Sequence, residues 1–294
     1  MQKREIFRRL ARSTDTGINK AFVKVLIPAG ALGIPYDRDA LERGLKKSPD
    51  LIAIDGGSTD SGPYYLGTGT SKYSRAATKA DWAELMTARA NANVPLLIGT
   101  AGTSGADNAV DWMLDITLEI ARERGEKLKI ATLKSGQEKQ EIMTAFAEGA
   151  ITPLEGAQEL DIELLQQTTN IVALAGIEQI QAALASEADI IIAGRATDTA
   201  IIAALPIARG CHKGAAWHGA KIAECGALAT TNPNSGVILM SFDETGFTIT
   251  PLAENTAATP YTVSAHMLYE NADPYILYEP GGWLDVRRAT YTAL

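Results

Sequence analysis

Six short apolar runs, each closed by a glycine or a polar loop and each followed by further chain of mixed character, set what this chain can fold into. The runs are 23–27 (VKVLI), 51–54 (LIAI), 95–98 (PLLI), 128–133 (LKIATL), 170–174 (NIVAL) and 189–193 (DIIIA). Strands that are apolar with little alternation are buried on both faces, as parallel strands in α/β proteins are. Segments 37–47, 78–91 and 178–185 read as helices between them. Ser104 and Asp107, and again Ser135 and Glu138, have the Ser-x-x-acid spacing of a capping box. Helices are therefore expected to start at Ser104 and after Ser135, the second running through Phe146. Strands alternating with helices in this way predict an α/β fold: a mostly parallel sheet with helices on both faces. Ligands of such sheets bind outside the carboxyl ends of the strands, where the glycine and polar clusters of this chain fall.

The pattern changes near Gly210. Residues 218–236 (HGAKIAECGALATTNPNSG) read as loop-rich, and 237–242 with 247–251 flank Asp-Glu-Thr-Gly, a hairpin signal. The division expected is a parallel α/β core over 1–209 and a smaller, loop-rich α+β portion over 210–294. Residues 261–294 are rich in Tyr and Trp. Aromatic side chains bury large areas, so this tail is expected to floor a second subdomain or cover the rim, with His266, Glu270 and Asp273 facing the cleft.

Composition excludes several functional classes. The 294 residues carry 27 Lys and Arg against 35 Asp and Glu, a net charge of −8. That balance argues against nucleic-acid binding, which needs a basic stripe, but leaves room for a local cationic pocket. No run approaches the ~18–20 apolar residues of a membrane span. The basic start, MQKREIFRRLARS, lacks the apolar stretch of a secretory signal and reads as an N-terminal helix or arm. A cytoplasmic location is expected. Cys211 and Cys225 form no CxxC pair, so neither a disulfide framework nor a zinc knuckle is expected.

Four clusters hold chemistry. In Asp55-Gly-Gly-Ser58-Thr59-Asp60-Ser-Gly-Pro, two carboxylates and three hydroxyls share a glycine-rich loop. Such a loop can bind a divalent metal, act as a base or hold a hydroxyl, although Asp and Ser also cap ordinary turns. Gly99-Thr-Ala-Gly102-Thr103-Ser104-Gly105 opens a helix, where free N–H groups favour an anion; it is neither a Walker loop nor GxGxxG. In Gly194-Arg195-Ala-Thr197-Asp198-Thr199, Arg195 directly follows an apolar strand and can clamp a carboxylate or phosphate, unless it merely pairs with Asp198. In His218-Gly-Ala-Lys221-Ile-Ala-Glu224-Cys225, several groups can move protons, while Cys225 also fits a small buried residue. Residues 28–33 (PAGALG) after the first strand, with Asp55 ending the second, weakly suggest NAD, but Pro28 replaces the first fingerprint glycine.

The segments 55–63 (DGGSTDSGP), 99–105 (GTAGTSG), 191–204 (IIAGRATDTAIIAA), 218–231 (HGAKIAECGALATT) and 264–286 (SAHMLYENADPYILYEPGGWLDV), in that order, resemble the acyclic terpene utilisation (AtuA-type) family. The resemblance implies a cytoplasmic enzyme-like protein encoded near catabolic genes for branched acids and their CoA esters, with no settled reaction or agreed catalytic residues. It also implies chains that continue past the Tyr-rich segment, so this one is expected to stop in mid-domain. The function expected is an enzyme acting on a small carboxylic acid or its CoA thioester by lyase, hydratase or isomerase chemistry. Asp55, Asp60, Asp198 and Glu224 are its candidate catalytic residues. Ser58, Thr59, Gly102, Thr103, Ser104, Arg195, Thr197, His218 and Cys225 are its candidate substrate contacts. The alternatives are a non-catalytic ligand-binding or scaffolding subunit and an NAD-dependent oxidoreductase. The cofactor is open, with a divalent metal among the options; the partners expected are a small anionic substrate and further copies of the chain, with neither nucleic acid nor membrane.

Overall fold

A computed structural model describes residues 21–57, 62–269, 271 and 273–294. The expected N-terminal arm, the candidates Ser58, Thr59 and Asp60, and Glu270 lie outside them. Among the described residues the chain runs β1 (Phe22–Ile27), α1 (Arg38–Leu45), β2 (Leu51–Asp55), α2 (Tyr64–Thr68), α3 (Arg75–Ala92), β3 (Leu96–Gly99), α4 (Asp107–Arg124), β4 (Ile130–Leu133), α5 (Lys139–Ala147) and α6 (Ile162–Gln167). It continues through α7 (Ile177–Ala185), β5 (Ile190–Ala193), α8 (Asp198–Ala208), α9 (Lys213–Ala223), β6 (Ile238–Asp243), β7 (Phe247–Pro251), α10 (Pro260–His266), β8 (Ile276–Glu279) and β9 (Gly282–Asp285).

Seven strands form one sheet in the order β4-β5-β3-β2-β1-β6-β7, and β8 with β9 forms a separate two-stranded ribbon. The pairs β1–β2, β2–β3, β3–β5 and β4–β5 are parallel, whereas β6 runs antiparallel to β1 and to β7. This is the mostly parallel α/β sheet that the apolar runs predict. The sheet also crosses Gly210, because β6 takes its place beside β1 in register Phe22↔Asp243 to Ile27↔Ile238.

Burial on both faces explains the unalternating strands. Val23, Val25, Leu51, Ala53, Leu97, Ile191 and Ala193 pack with residues of α7, α8 and α9 on one face. Their neighbours Leu26, Ile52, Ile54, Leu96, Ile98, Ile190 and Ile192 pack with α1, α3 and α4 on the other. Each such side chain, wholly removed from water, contributes on the order of 2 kcal/mol. On the second face Trp82 is buried and its Nε1–H donates to Thr117 Oγ1 at 2.9 Å. Thr117 in turn donates to the Met113 carbonyl at 2.7 Å, so the indole adds bulk to the core without an unmet donor.

Several local expectations fail, for identifiable reasons. Helix α4 begins at Asp107 with Ala106 at its N-cap, not at Ser104. The Asp107 carboxylate instead accepts from the N–H groups of Ser135 and Gly136, at 3.1 and 2.8 Å, tying α4 to the loop after β4. Ser135 caps no helix: its Oγ donates to the Arg195 carbonyl at 2.9 Å. The run 170–174 is no strand and makes only an isolated bridge, Gly136 with Val172, because β5 fills the place between β3 and β4. Residues His218 to Ala223, read as loop, belong to α9. In the tail, aliphatic Val263, Met267, Leu277 and Val286 pack on Ile222 of α9, while Tyr261, Tyr278 and Trp283 are exposed.

The loops leaving β2, β3 and β5 touch backbone to backbone. Gly56 N–H donates to the Gly99 carbonyl at 2.7 Å, and Arg195 N–H to the Gly105 carbonyl at 3.0 Å. Gly105 has φ +68, and a Cβ there would lie 2.2 Å from the Arg195 nitrogen. Neither the conformation nor the space admits a side chain. Gly105→Ala should therefore destabilise the fold by about 2–3 kcal/mol, read by urea unfolding. A change under about 0.5 kcal/mol, the range of an ordinary surface substitution, would mean that the loops are not locked here.

Candidate functional site

Strand register brings the first carboxylate to the rim. Asp55 ends β2 opposite Gly99, and its side chain is only 4% exposed. Its Oδ2 accepts from Gly57 N–H at 3.1 Å, while its Oδ1 is buried with no hydrogen-bond partner. Burial pushes this carboxyl well above the usual carboxylate range, and Asp198 pushes it further; the Gly57 and Gly56 N–H groups and the Arg195 guanidinium oppose them. Asp55, Arg195 and Asp198 therefore converge at the carboxyl ends of β2 and β5, as the loop positions predict.

The loop after β3 supports this arrangement. Thr100 has φ 43 and Thr103 φ 80, conformations that β-branched residues avoid. Both are held by neighbours. Thr103 N–H donates to the Gly56 carbonyl, its Oγ1 accepts from Lys72 N–H at 3.0 Å, and Thr100 Oγ1 donates to the Ala196 carbonyl at 3.2 Å. The N–H groups at positions 100, 101, 103 and 105 all go to backbone carbonyls of the chain itself. Gly102, Thr103 and Ser104 are buried, so this loop braces the rim more than it offers donors to an anion. Arg195 is backbone-anchored through Gly105 and Ala175, and its Nη1–H reaches Thr100 Oγ1 at 3.4 Å.

A second carboxyl group stands at the end of α9. Glu224 is 8% exposed; Lys221 Nζ pairs with its Oε1, and Thr199 Oγ1 lies 3.1 Å from its Oε2. Burial pushes Glu224 up to about 8, with Asp198 adding to the shift against Lys221 and Thr199. Burial disfavours the Lys221 ammonium, yet Glu224, Cys225 and Asp198 outweigh it and its pKa is raised. Thr197 caps α8 by accepting from Ala200 N–H at 3.1 Å, and Asp198 occupies the first turn, where the helix dipole favours a carboxylate.

The remaining candidates divide. Cys225 is a half-buried thiol near Lys221. His218 lies elsewhere: its Nε2 meets the Tyr291 hydroxyl at 2.8 Å and its ring packs edge-on against Phe247. Burial lowers His218 to about 4. His266 is buried next to Lys221, and burial followed by that charge lowers it to about 4 as well. Asp273 is exposed and accepts from Tyr275 and Ile276 N–H, closing a turn. Among the described residues no group of three or more His, Cys, Asp or Glu has metal-holding geometry. Two surface clefts of about 340 and 390 Å³, one around Arg43 and Asn232 and one around Ser71 and Trp112, include none of these carboxyls; the titratable cluster marks the site better than those hollows do.

One participant escaped the sequence reading. Glu279, at the end of β8, places its Oε1 2.5 Å from Thr199 Oγ1, and its Oε2 is buried without a partner. Burial raises its pKa. The ribbon reaches the rim because its turn packs against α7: a Cβ on Gly176 would lie 3.1 Å from Pro280. The only local hint was the strand-like YILYE ahead of Pro-Gly-Gly, which says nothing of where the glutamate lands.

Residues 88–294, more than two thirds of the chain, match the model of the family described as acyclic terpene utilisation family protein AtuA. Neither the curated proteins nor the solved structures contain a match.

The shifted groups set how stability depends on pH. His218 and His266 hold fewer protons folded than unfolded, so they lower stability as pH falls from 6.5 toward about 4. The Glu224–Glu279 pair, linked through Thr199, has the opposite sign: it holds a proton that the unfolded glutamates give up near 4.5, so its contribution is complete below 4.5 and is lost as pH rises through about 8. From about 7.5 to about 8 the histidines are essentially neutral in both states, which leaves the buried carboxyls. Unfolding free energy should fall with rising pH across that window, by at most about 1.4 kcal/mol per pH unit for each proton. Urea titrations at several pH values measure this slope, which should shrink in the Glu224→Gln, Glu279→Gln double variant. A stability that climbs through the window would contradict a protonated carboxyl.

Proposed function

The chain belongs to the acyclic terpene utilisation family AtuA, and on that premise we propose that it is an enzyme of branched or terpenoid acid catabolism. Its substrate is a small carboxylic acid or the CoA thioester of one, and its chemistry is that of a lyase, hydratase or isomerase. The observation that carries this reading is the gathering of Asp55, Asp198 and Glu224 around Arg195 and Lys221 at the carboxyl edge of the parallel strands. Lyases, hydratases and isomerases of such acids move a proton between the substrate and a protein group while its carboxylate or thioester is held. Carboxyls tuned upward toward neutral pH suit the first task. A planar, always-charged guanidinium suits the second.

In this reading Arg195 holds the substrate's anionic group by a bidentate contact. Asp55, with an oxygen that no protein group meets, exchanges a proton with the substrate or binds a divalent ion. Glu224 is its partner acid, and Asp198 lies between the two and couples them electrostatically. Ser58, Thr59 and Asp60 belong to the same loop and are assigned to substrate and proton handling from sequence alone. The chain works as a homo-oligomer in the cytoplasm. The dinucleotide reading loses ground, because a Cβ at Gly30 would meet the Cys225 backbone at 3.1 Å: that glycine admits the chain's own end of α9.

The test is to incubate the purified protein in deuterated buffer with branched acids and their CoA thioesters, following solvent-to-carbon exchange and product by NMR. Turnover or exchange is expected. Binding without either would favour a ligand-binding or scaffolding subunit. Arg195→Lys keeps the charge and loses the fork, so KM should rise about 10–100-fold, equivalent to about 1.4–2.8 kcal/mol, with Tm unchanged. Equal losses of stability and affinity would make Arg195 a structural residue.

A further inference from the structure

Thr199 Oγ1 stands between the buried Glu224 and the half-buried Glu279, 3.1 Å from Glu224 Oε2 and 2.5 Å from Glu279 Oε1. A hydroxyl has a single proton to donate. Both contacts are hydrogen bonds only when one of the carboxyls is protonated and donates to the threonine oxygen. We propose that Glu279 is that carboxyl: the C-terminal ribbon delivers a proton-bearing glutamate that shares its proton with Glu224 through the Thr199 hydroxyl.

The surroundings of the two groups decide which one is neutral. Glu224 has a donor on each oxygen, the Lys221 ammonium on Oε1 and the Thr199 hydroxyl on Oε2. Among the described residues Glu279 has Thr199 on Oε1 and no hydrogen-bond partner on Oε2, although that atom is buried. An unmet oxygen costs far less on a neutral acid than on a buried carboxylate. Of the charged groups nearby, Lys221 from α9 favours the ionised form of both glutamates and pairs directly with Glu224, whereas Asp198 at the start of α8 favours a proton on Glu224. The Thr197 side chain also bonds Glu279 and favours its ionised form, and His266 faces Lys221 from α10. Burial raises the affinity of both glutamates for a proton, so the pair keeps one at neutral pH.

The relay is balanced. The Glu279 Oε1–H bond breaks as its proton forms a bond with Thr199 Oγ1, and the original Thr199 proton passes to Glu224 Oε2. One proton has moved from Glu279 to Glu224, the hydroxyl is restored, and the total charge is unchanged. Glu279 is thus a positioning residue that supplies Glu224 and does not itself meet the substrate. The assignment deepens the reading of Glu224 as an acid and rests on it only for its use.

Infrared titration of the protein with carbon-13-labelled glutamate tests this without any ligand and without interference from Asp55. One protonated glutamate is expected at neutral pH. It should disappear in Glu279→Gln, whose amide N–H can still donate to Thr199 and preserve the fold, and persist in Glu224→Gln. Thr199→Val should shift the band by removing its acceptor. The proposal is overturned if the native protein has no protonated glutamate at neutral pH, if the band survives Glu279→Gln, or if Thr199→Val leaves it unmoved. Should Glu279→Gln fail to fold, the native titration and Thr199→Val still decide. Turnover with no such band would spare the proposed enzyme and remove the relay; the band with no turnover would do the reverse.

Discussion

The contact on which the site depends is between backbones, where the turn at Gly105 lies against Arg195 closely enough to exclude even a methyl group. Parallel strands place their following loops at one edge of the sheet, but they do not make those loops meet. Meeting requires glycine at the crossing points, and Gly56, Gly57 and Gly105 occupy them. Once backbone bonds close these crossings, Asp55 and Arg195 have little freedom to separate. Strain at Thr100 and Thr103 is tolerated in the same place, offset by the core on either side.

Charge is arranged differently at the two ends of the sheet. At the amino ends, Arg89 pairs with Asp189 at 2.7 Å, and Arg209 pairs with Asp50. Each carboxylate there has a cation and a backbone N–H, so these are settled structural pairs. At the carboxyl ends the acids outnumber the cations, and among the described residues Asp55 and Glu279 each keep a buried oxygen without a hydrogen-bond partner. The same fold thus neutralises one edge and leaves the other short of partners, which is the distribution expected of a working site.

The parallel sheet was legible because double-sided burial writes itself into composition: five of the six apolar runs became strands. The sixth, 170–174, failed because its apolar residues are no different in kind, and only the competition for a sheet position, won by β5, separates them. The capping spacings at Ser104 and Ser135 misled because Asp107 and Ser135 have tertiary partners that local spacing does not encode, while Ser104 Oγ accepts from Ala106 N–H within its own turn. The places of Asp55 and Arg195 at the strand ends were legible because one closes β2 and the other stands just after β5, with Asp198 opening the helix that follows. Glu279 was not, since its position depends on how a separate ribbon packs on α9 and α7. The His218 contact was not legible either, since its partner Tyr291 is 73 residues away.

Among the described residues the β8–β9 ribbon pairs with no further strand and is anchored by a small aliphatic cluster and the Glu279 contact with Thr199. Two-stranded sheets are marginal alone, and such elements open at free energies well below that of the whole domain. Opening would carry Glu279 away while the seven-stranded sheet stayed intact, leaving Glu224 with Lys221 and no proton reserve. The molecule therefore divides into a durable framework and a detachable ribbon, and any chemistry that draws on Glu279 would be lost before the fold.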